Sequence, residues 1–316
     1  MRKFIIRRFF LALLTLLAAT VVVFTISRLA GDPKLIYALP DGYGMSQERL
    51  DALDEKLGLN KPLIVQYLLW IGRALKGDFG NTLFTDRPVM DVLLERVPAT
   101  IQLGIVAWIF GTVVGVPFGI ISAVRRGSVV DYIARTFALV GQAAPPFWIG
   151  LMAIFLFSVT LGWLPTATKG PPDASLWLQA KHFVLPSVIL GWGAAAGYLR
   201  LTRSAMLDVL ESEYVVLARA KGVSERRVIW KHALGNALIS PLTYSSLVMA
   251  GFLNGAVIAE SVFAWPGIGR LATEAVFEND FPTMTGTVLT FAALFAITSF
   301  VSDILYVVVD PRIRYT

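Results

Sequence analysis

The sequence contains no cysteine, and this absence excludes several kinds of functional site. Disulfide frameworks, zinc–cysteine centres, iron–sulfur clusters and thiol nucleophiles all need cysteine side chains. Histidine is almost as scarce, because the chain has only His182 and His232, far apart in the sequence. Two histidines are too few for most histidine-rich metal sites, so we expect no metal centre in this chain.

Charged residues are scarce too: Asp, Glu, Lys and Arg make up 16% of the 316 residues, whereas hydrophobic residues make up 56%. A typical soluble domain has about 25% charged residues, so this composition disfavours a soluble enzyme, and it excludes a disordered chain. The net charge of +6 could indicate nucleic-acid binding. In a membrane protein, however, an excess of Lys and Arg belongs to the cytoplasmic loops, and we favour this second interpretation.

Six charge-free runs predict membrane-spanning helices, since a span needs about 20 mostly apolar residues. The fourth run is short and is interrupted by Pro186 and three glycines. We still expect it to be a packed span, because the Gly193-x-x-x-Gly197 spacing permits close helix contact in lipid. The predicted spans are residues 9–26, 97–124, 137–163, 183–199, 233–259 and 281–302, the last of which continues past Asp303 to residue 309.

Lys and Arg are distributed unequally between the two sets of short loops. Sixteen lie in the set that includes both termini, and only Lys169, Lys181 and Arg270 lie in the opposite set. Because basic residues are enriched in cytoplasmic loops, both termini are predicted to be cytoplasmic. The Arg7-Arg8 pair resembles part of a twin-arginine export signal, but the long apolar run behind it and the five further spans favour an uncleaved first helix.

The loop of residues 31–95 is predicted to be extracytoplasmic and helical. Capping patterns predict short helices at residues 46–57, 62–76 and 88–97, with Gly58 and Gly77 ending the first two. A docking surface and an ordered lid without a ligand are both compatible with this pattern.

The loop of residues 200–231 is predicted to be cytoplasmic and to contain two helices with a tight break between them. Ser212 is placed to cap the first helix and Gly222 to end it. Ser224 is placed to cap the second, which runs through His232 into the fifth span. Such a projecting helix could enter a groove of a partner protein, or it could be a solvated basic loop.

The chain carries no motif that would supply energy for transport. It has no G-x-x-x-x-G-K-[ST] phosphate loop, so we expect it neither to bind nor to hydrolyse ATP. Residues 267–272 match G-x-G-x-x-A, but no strand precedes them, and we assign no nucleotide site there. Ionisable residues inside the spans are too few to favour an ion-driven transporter, and Asn254 and Gln142 are the polar candidates for a translocation path. Energy is therefore expected to come from another polypeptide.

In the predicted cytoplasmic loop, residues 213–222 read E-Y-V-V-L-A-R-A-K-G and residues 232–238 read H-A-L-G-N-A-L. This pattern resembles the EAA loop of ABC-importer permeases. It matches the general E-A-A-x-x-x-G pattern only in part, because Val216 and Leu217 stand where Glu and Ala would be. It is closer to the peptide-importer variant, E-Y-V-x-x-A-R-A-K-G followed by H-A-L-x-N-A-L. The residues that fit this variant are Glu213, Tyr214, Val215, Ala218, Arg219, Ala220, Lys221, Gly222, His232, Ala233, Leu234, Asn236, Ala237 and Leu238.

Other segments carry the same resemblance along nearly the whole chain. Gly31-Asp32-Pro33 is similar to the family's P-G-D-P, with Ala30 in place of its first proline. Further similar segments occur in the expected order at residues 57–70, 75–80, 87–100, 261–271 and 306–314. Together with the long loop after the first span, these segments identify the chain as a member of the B-type permeases of dipeptide, oligopeptide and nickel ABC importers.

The resemblance implies an all-α membrane protein with a type I ABC importer permease fold and six transmembrane helices. Residues 1–96 would form the first span and a helical extracytoplasmic loop. Residues 97–316 would form a five-helix ABC transmembrane type-1 domain, with a coupling loop at residues 200–231. The residues assigned to coupling with an ATPase are Glu213, Tyr214, Ala218, Arg219, Ala220, Lys221 and Gly222.

The resemblance also implies partners and a location. A second similar permease, two cytoplasmic ATPases and an extracytoplasmic binding protein would complete the importer, in a bacterial or archaeal cytoplasmic membrane. The ATPases would bind ATP and Mg²⁺, so no cofactor is expected in this chain. Di- or oligopeptides are the expected substrates, while nickel, opines and oligosaccharides remain alternatives. An ion-driven secondary peptide transporter is the functional alternative.

Overall fold

The computed structural model describes residues 2–29, 60–171 and 173–309. This part of the chain is built from helices and contains no β-strand, although Asn81 and Pro88 form an isolated antiparallel bridge. The helices are α1 (Arg2–Leu29), α2 (Leu63–Ala74), α3 (Val89–Val124), α4 (Val129–Ala143), α5 (Pro146–Ala153), α6 (Leu176–Leu210), α7 (Glu213–Ala220), α8 (Ile239–Val262), α9 (Ile268–Phe277) and α10 (Phe281–Val309).

Within residues 2–29, 60–171 and 173–309, four helices are long and apolar enough to cross a membrane, and they coincide with the first, second, fourth and sixth predicted spans. They are Ile5–Ile26 within α1, all of α3, all of α6, and Phe281–Ile304 within α10. The fifth predicted span coincides with α8, whose 24 residues extend about 36 Å at 1.5 Å per residue. The total of six spans stays a prediction.

The third predicted span is not one straight helix. Helix α4 ends at Ala143, and α5 begins at Pro146 and continues as a π-helical segment, Ile154–Thr160, at an angle of 111° to α4. Ala144 and Pro145 are extended at the bend. Each precedes a proline, and a residue in that position is pushed out of the helical conformation, so the sequence Ala144-Pro145-Pro146 separates the two helices.

The fourth predicted span is one continuous helix despite its proline and glycines, because α6 runs for 35 residues with Pro186 inside it. Neighbouring helices can compensate for a proline inside a membrane helix, and α6 is the most buried of the candidate spans. The glycines of α6 are contact positions instead of breaks. A β-carbon on Gly197 would collide with the ring of Tyr244 in α8, and one on Gly191 would lie 2.5 Å from the carbonyl oxygen of Ala107 in α3.

A row of three glycines lets the backbones of α3 and α6 approach each other. Gly111, Gly115 and Gly119 follow one another at intervals of four residues, so they share one face of α3. An added β-carbon on Gly115 would collide with the carbonyl oxygen of Ala195, and one on Gly119 would lie 2.7 Å from that of Leu199. Small residues at such spacing are typical of close contacts between membrane helices.

The chain divides into two compact units, which we describe separately: residues 1–5, 101–265 and 298–316, and residues 6–100 and 266–297. In the second unit, Val89, Leu93, Ile268 and Leu271 form a buried core. Asp280 accepts hydrogen bonds from the backbone N–H of Leu83 and of Thr283, which attaches the segment after α2 to the start of α10.

The predicted outer-loop helices have different outcomes. The helix at residues 62–76 is confirmed, since α2 follows Pro62 and the chain turns at Gly77 with a φ of +78°. The helix at residues 88–97 and the second span are one continuous helix, α3, so the proposed boundary between residues 96 and 97 falls inside it. The helix predicted at residues 46–57 lies outside the described residues.

Candidate functional site

The candidate site is the helical excursion between α6 and α8, whose first element is α7. Only Glu211 and Ser212 separate α7 from α6, and Glu213 occupies its first turn. Ser212 and Ser224 both stand in the predicted N-cap positions with extended backbone, but neither side chain makes the predicted capping hydrogen bond. The Ser212 hydroxyl donates to the carbonyl oxygen of Val209 instead, which joins the start of α7 to the end of α6.

Helix α7 ends in a turn at Gly222, as the sequence pattern predicted. This glycine has a φ of +77°, its N–H donates to the carbonyl oxygen of Arg219, and the N–H of Val223 donates to that of Ala218. These two bonds form a Schellman motif, which satisfies carbonyl groups that would otherwise lack partners. The chain therefore reverses at Gly222 with a defined geometry.

Arg219 holds the two sides of this turn together. Its Nε and NH2 groups donate to the two carboxylate oxygens of Glu225, at 2.7 and 3.3 Å. Its NH1 group donates to the carbonyl oxygen of Leu210 at 3.2 Å. One side chain thus connects the end of α6, the end of α7 and the segment that follows. We call the Arg219–Glu225 ion pair the α7 clasp.

The inner side of α7 packs on the segment that leads into α8, a helical turn (Glu225–Arg227), a π-helical segment (Val228–Ala233) and a further turn (Leu234–Ala237). Val215 and Val228 are fully buried. The side-chain amide of Asn236 donates to the hydroxyl of Tyr214 at 2.9 Å. Tyr214 is therefore a residue that attaches α7 to the fold, although its ring remains partly exposed.

The opposite side of α7 is exposed and apolar. Val216 and Leu217 are 55% and 54% exposed, and Ala220 is exposed as well. These three residues, which we call the outer face of α7, lie together because they are three and four positions apart. Ala218 is only half-buried and does not belong to this face, and Lys221 and Gly222 are exposed at its end. Val216 and Leu217, which depart from the general family pattern, are thus the most exposed large apolar side chains of α7.

Of the two candidates for a translocation path, the structure describes the side chain of Gln142. Gln142 lies near the end of α4, where its side-chain oxygen accepts a hydrogen bond from Arg200 of α6 at 3.0 Å. Asn254 belongs to α8, and its side chain is outside the described part of the structure.

Sequence reasoning missed a buried ion pair near the same end of α6. Asp131 is 1% exposed and accepts two hydrogen bonds from Arg203, at 2.9 and 3.0 Å. A local signal was present, because Ser128 and Asp131 form an S-x-x-D pattern in front of an apolar run, and Ser128 does cap α4. That pattern predicts the start of a helix, but not the distant arginine.

These features define a class of protein: a helical, multi-pass membrane protein with a short, firmly held helix that projects an apolar face. The sequence profile of the family described as "Binding-protein-dependent transport system inner membrane component" matches residues 115–315. The profile of the N-terminal part of such membrane components matches residues 1–104. The chain belongs to this family and is a permease subunit of an ABC importer.

Individual relatives agree with this assignment over their whole length. The chain is 38% identical to the oligopeptide transport system permease protein AppB of Bacillus subtilis (strain 168), over 100% of both chains. It is 37% identical to the dipeptide transport system permease protein DppB of Escherichia coli (strain K12), over 100% of this chain and 99% of the relative. These relatives confirm the resemblance that the loop motifs indicated.

A solved structure supports the fold. A chain of the inward-facing MetNI methionine ABC transporter superposes with a TM-score of 0.56 at 20% sequence identity, and the match covers 70% of this chain and 97% of that one. The predicted type I importer permease fold is therefore confirmed.

Proposed function

We propose that this permease imports di- or oligopeptides, and that α7 is the helix that couples it to an ATPase. The full-length similarity to permeases named for dipeptide and oligopeptide transport supports the substrate class. The geometry of α7 supports the coupling role, because a short helix fixed on one side and apolar on the other is suited to a groove in a partner protein.

The single observation that carries the coupling proposal is the exposure of Val216 and Leu217 on a helix held at both ends. A mobile loop would transmit little force, whereas the α7 clasp and the Asn236–Tyr214 hydrogen bond resist rotation of α7 relative to α6. The outer face of α7 would meet the ATPase, while the assigned residues Arg219, Lys221 and Gly222 would keep the helix end and its turn in place.

The complete importer would contain this chain, a second similar permease, two ATPases on the cytoplasmic side and an extracytoplasmic binding protein. The ATPases would bind ATP and Mg²⁺, and this chain would bind neither. Both termini would be cytoplasmic, which also places α7 on the side of the ATPases. Closure of the ATPases on ATP would switch the permease pair between inward-open and outward-open states, and substrate would cross between the permeases.

Leu217→Glu tests the coupling role directly. A carboxylate cannot be buried in an apolar groove without a partner, so the substitution should weaken attachment of the ATPase. Leu217→Met is the matched control, because it keeps an apolar side chain of similar size. ATPase co-purification and uptake into proteoliposomes should fall at least about tenfold for Leu217→Glu, equivalent to about 1.4 kcal/mol, and stay near wild type for Leu217→Met. Normal assembly and uptake with Leu217→Glu would refute the docking of this face.

The substrate and the energy source are tested together with the reconstituted importer. We expect uptake of labelled di- and tetrapeptides to need ATP inside the vesicles with the ATPases, and to persist when ionophores collapse the proton and sodium gradients. Uptake that follows an ion gradient and needs no ATP would favour the secondary-transporter alternative. Preferred uptake of nickel, an opine or an oligosaccharide would replace the peptide assignment and leave the coupling role intact.

A further inference from the structure

Asp131 is a buried charge, 1% exposed, whose carboxylate has several hydrogen-bond donors around it. Its carboxylate accepts hydrogen bonds from both Nε and NH2 of Arg203, from the Ser122 hydroxyl and, at 3.0 Å, from the backbone N–H of Gly127. Arg203 Nε also contacts the Ser122 oxygen at 3.0 Å. The cluster thus joins the end of α3, the turn after it, the first turn of α4 and α6.

Further contacts continue the attachment of α4 to α6 beyond this cluster. The Trp192 indole of α6 stacks on Phe137 of α4 with ring centroids 5.2 Å apart, and its N–H donates to the Phe137 carbonyl oxygen at 3.1 Å. Gly141 lies against the same indole, so that a β-carbon there would collide with it. Gln142 and Arg200 add the hydrogen bond described above. Helix α4 is therefore bound to α6 from its first turn to its last.

The contact between α4 and α6 connects two neighbouring features of the chain, α7 and the α4–α5 bend. Helix α6 continues through only two residues into α7, whereas α4 continues through Ala144 and Pro145 into α5. An apolar cavity lies inside that bend, and Gly141, Ala144, Pro146, Ile189 and Trp192 are among the residues that line it. A displacement of α7 that moves α6 would therefore also move α4 and the bend, provided that the α4–α6 contact does not slip.

We propose that the Asp131–Arg203 ion pair is a positioning device that makes α4 and α6 move as one body, so that displacement of α7 reaches the α4–α5 bend. This proposal rests on the proposed function of α7. Asp131 and Arg203 are positioning residues here, since they act on the translocation path through the helices that they join. The bidentate geometry matters because the planar guanidinium fork fixes the direction of the contact as well as its distance.

The alternative to a positioning role is a purely structural one. The two roles predict different effects on uptake and ATP hydrolysis when the Asp131–Arg203 pair is broken. Removal of one partner from a buried ion pair leaves an uncompensated charge and destabilises a fold. A structural role alone would lower uptake and ATP hydrolysis in proportion, because fewer molecules would be folded. A positioning role would lower uptake per ATP hydrolysed, because the ATPases would still drive α7 while α4 followed it incompletely.

The test uses the assembled importer in proteoliposomes with loaded binding protein, and compares Asp131→Asn, Ser122→Ala and Arg203→Lys with wild type. Lysine keeps the charge of Arg203 but not its fork. The matched control is Glu211→Gln, which breaks the Arg126–Glu211 pair, an ion pair of 3.0 Å between the same turn and the end of α6 with side chains 63% and 71% exposed. Exposed pairs contribute little, so this control should behave like wild type.

We expect the Asp131 and Arg203 variants to lower uptake per ATP about tenfold, which corresponds to about 1.4 kcal/mol of lost coupling free energy, and Ser122→Ala to lower it less. An unchanged ratio of uptake to hydrolysis in the variants that assemble would overturn the proposal. If Asp131→Asn does not assemble, Arg203→Lys and Ser122→Ala decide the question. Wild-type complex that hydrolyses ATP without any uptake would instead count against the proposed function itself.

A distance measurement provides the independent readout. Because the chain has no cysteine, spin labels can be placed in it only at introduced sites, for which Val129→Cys on α4 and Asp208→Cys on α6 are exposed choices. We expect one narrow distance distribution in wild type with and without ATP, and a broader or ATP-dependent distribution with Asp131→Asn. An equally narrow and constant distribution in the variant would overturn the proposal.

Discussion

At the scale of single residues, Gly222 shows how backbone conformation alone can require a particular amino acid. Its φ of +77° lies in the left-handed region, yet a β-carbon added there would have no atom within 4 Å. Steric crowding therefore does not explain why glycine occupies this position. The left-handed conformation that the Schellman motif requires does explain it. A β-carbon in this region costs about 1–2 kcal/mol, least for asparagine, whose short side chain tolerates the conformation.

Gly222→Val should distort the turn and weaken attachment of the ATPase, whereas Gly222→Asn should retain most of it. Both substitutions lie outside the spans, so the amount of protein in the membrane should stay unchanged. ATPase co-purification at equal membrane levels is the measurement. Equal attachment for valine, asparagine and wild type would show that the turn geometry is not needed for coupling.

The residue scale also shows which parts of the site the sequence can predict. The start of α7, its end at Gly222 and the continuation toward α8 depend on neighbours in the chain, and their pattern predicted them. The outward direction of Val216 and Leu217 depends on what Val215 packs against, so the motif drew attention to Ala218 instead. The partnership of Asp131 with Arg203 joins residues that are 72 positions apart, and no local pattern specifies it.

At the scale of elements, the contact between α3 and α6 depends on glycine in one helix facing small residues and backbone in the other. Hydrophobicity predicted both helices but could not predict this pairing, because lipid chains are as apolar as the helices themselves. The bend between α4 and α5 was not predicted either: the run of residues 137–163 has no charges, so its hydropathy indicates a single span, whereas the prolines within it separate two helices.

Gly115→Ala and Gly104→Ala should have opposite effects on stability, although both glycines belong to α3. A β-carbon on Gly115 would collide with the backbone of α6, so overpacking should cost about 1–3 kcal/mol. At Gly104 the nearest side-chain atom is 3.9 Å away, and alanine should stabilise the helix by up to about 1 kcal/mol. The thermal unfolding midpoint in detergent is the measurement.

A lower midpoint for Gly115→Ala, with no loss for Gly104→Ala, would support the close α3–α6 contact. Unchanged or higher midpoints for both variants would contradict this close contact, because helix propensity alone would then determine the effect of alanine on stability.

At the scale of the whole molecule, the unequal distribution of Lys and Arg predicts the direction in which the chain crosses the membrane. The proposed role of α7 depends on this prediction, because an ATPase that uses cytoplasmic ATP can reach α7 only from the cytoplasm. The helices indicate where the chain can cross, and the charges predict which ends face inward.

A reporter protein fused after Thr316 should be active in the cytoplasm, and one inserted near Gly58 should be active outside it. The two positions lie on opposite sides of the membrane if six spans are present and both termini are inside. Activity of paired alkaline phosphatase and fluorescent-protein fusions is the measurement. The reverse pattern at either site would contradict the predicted orientation, and it would also contradict the docking of α7 on a cytoplasmic ATPase.

The α7 clasp and the Asp131–Arg203 pair, both near the end of α6, differ in their access to water, so dissolved salt should affect them unequally. The α7 clasp has side chains that are 40% and 61% exposed, whereas Asp131 is 1% exposed. The Debye length shrinks from about 10 Å at 0.1 M salt to about 3 Å at 1 M, and buried pairs are screened much less than exposed ones. With rising ionic strength, the α7 clasp should therefore loosen while the Asp131–Arg203 pair stays intact.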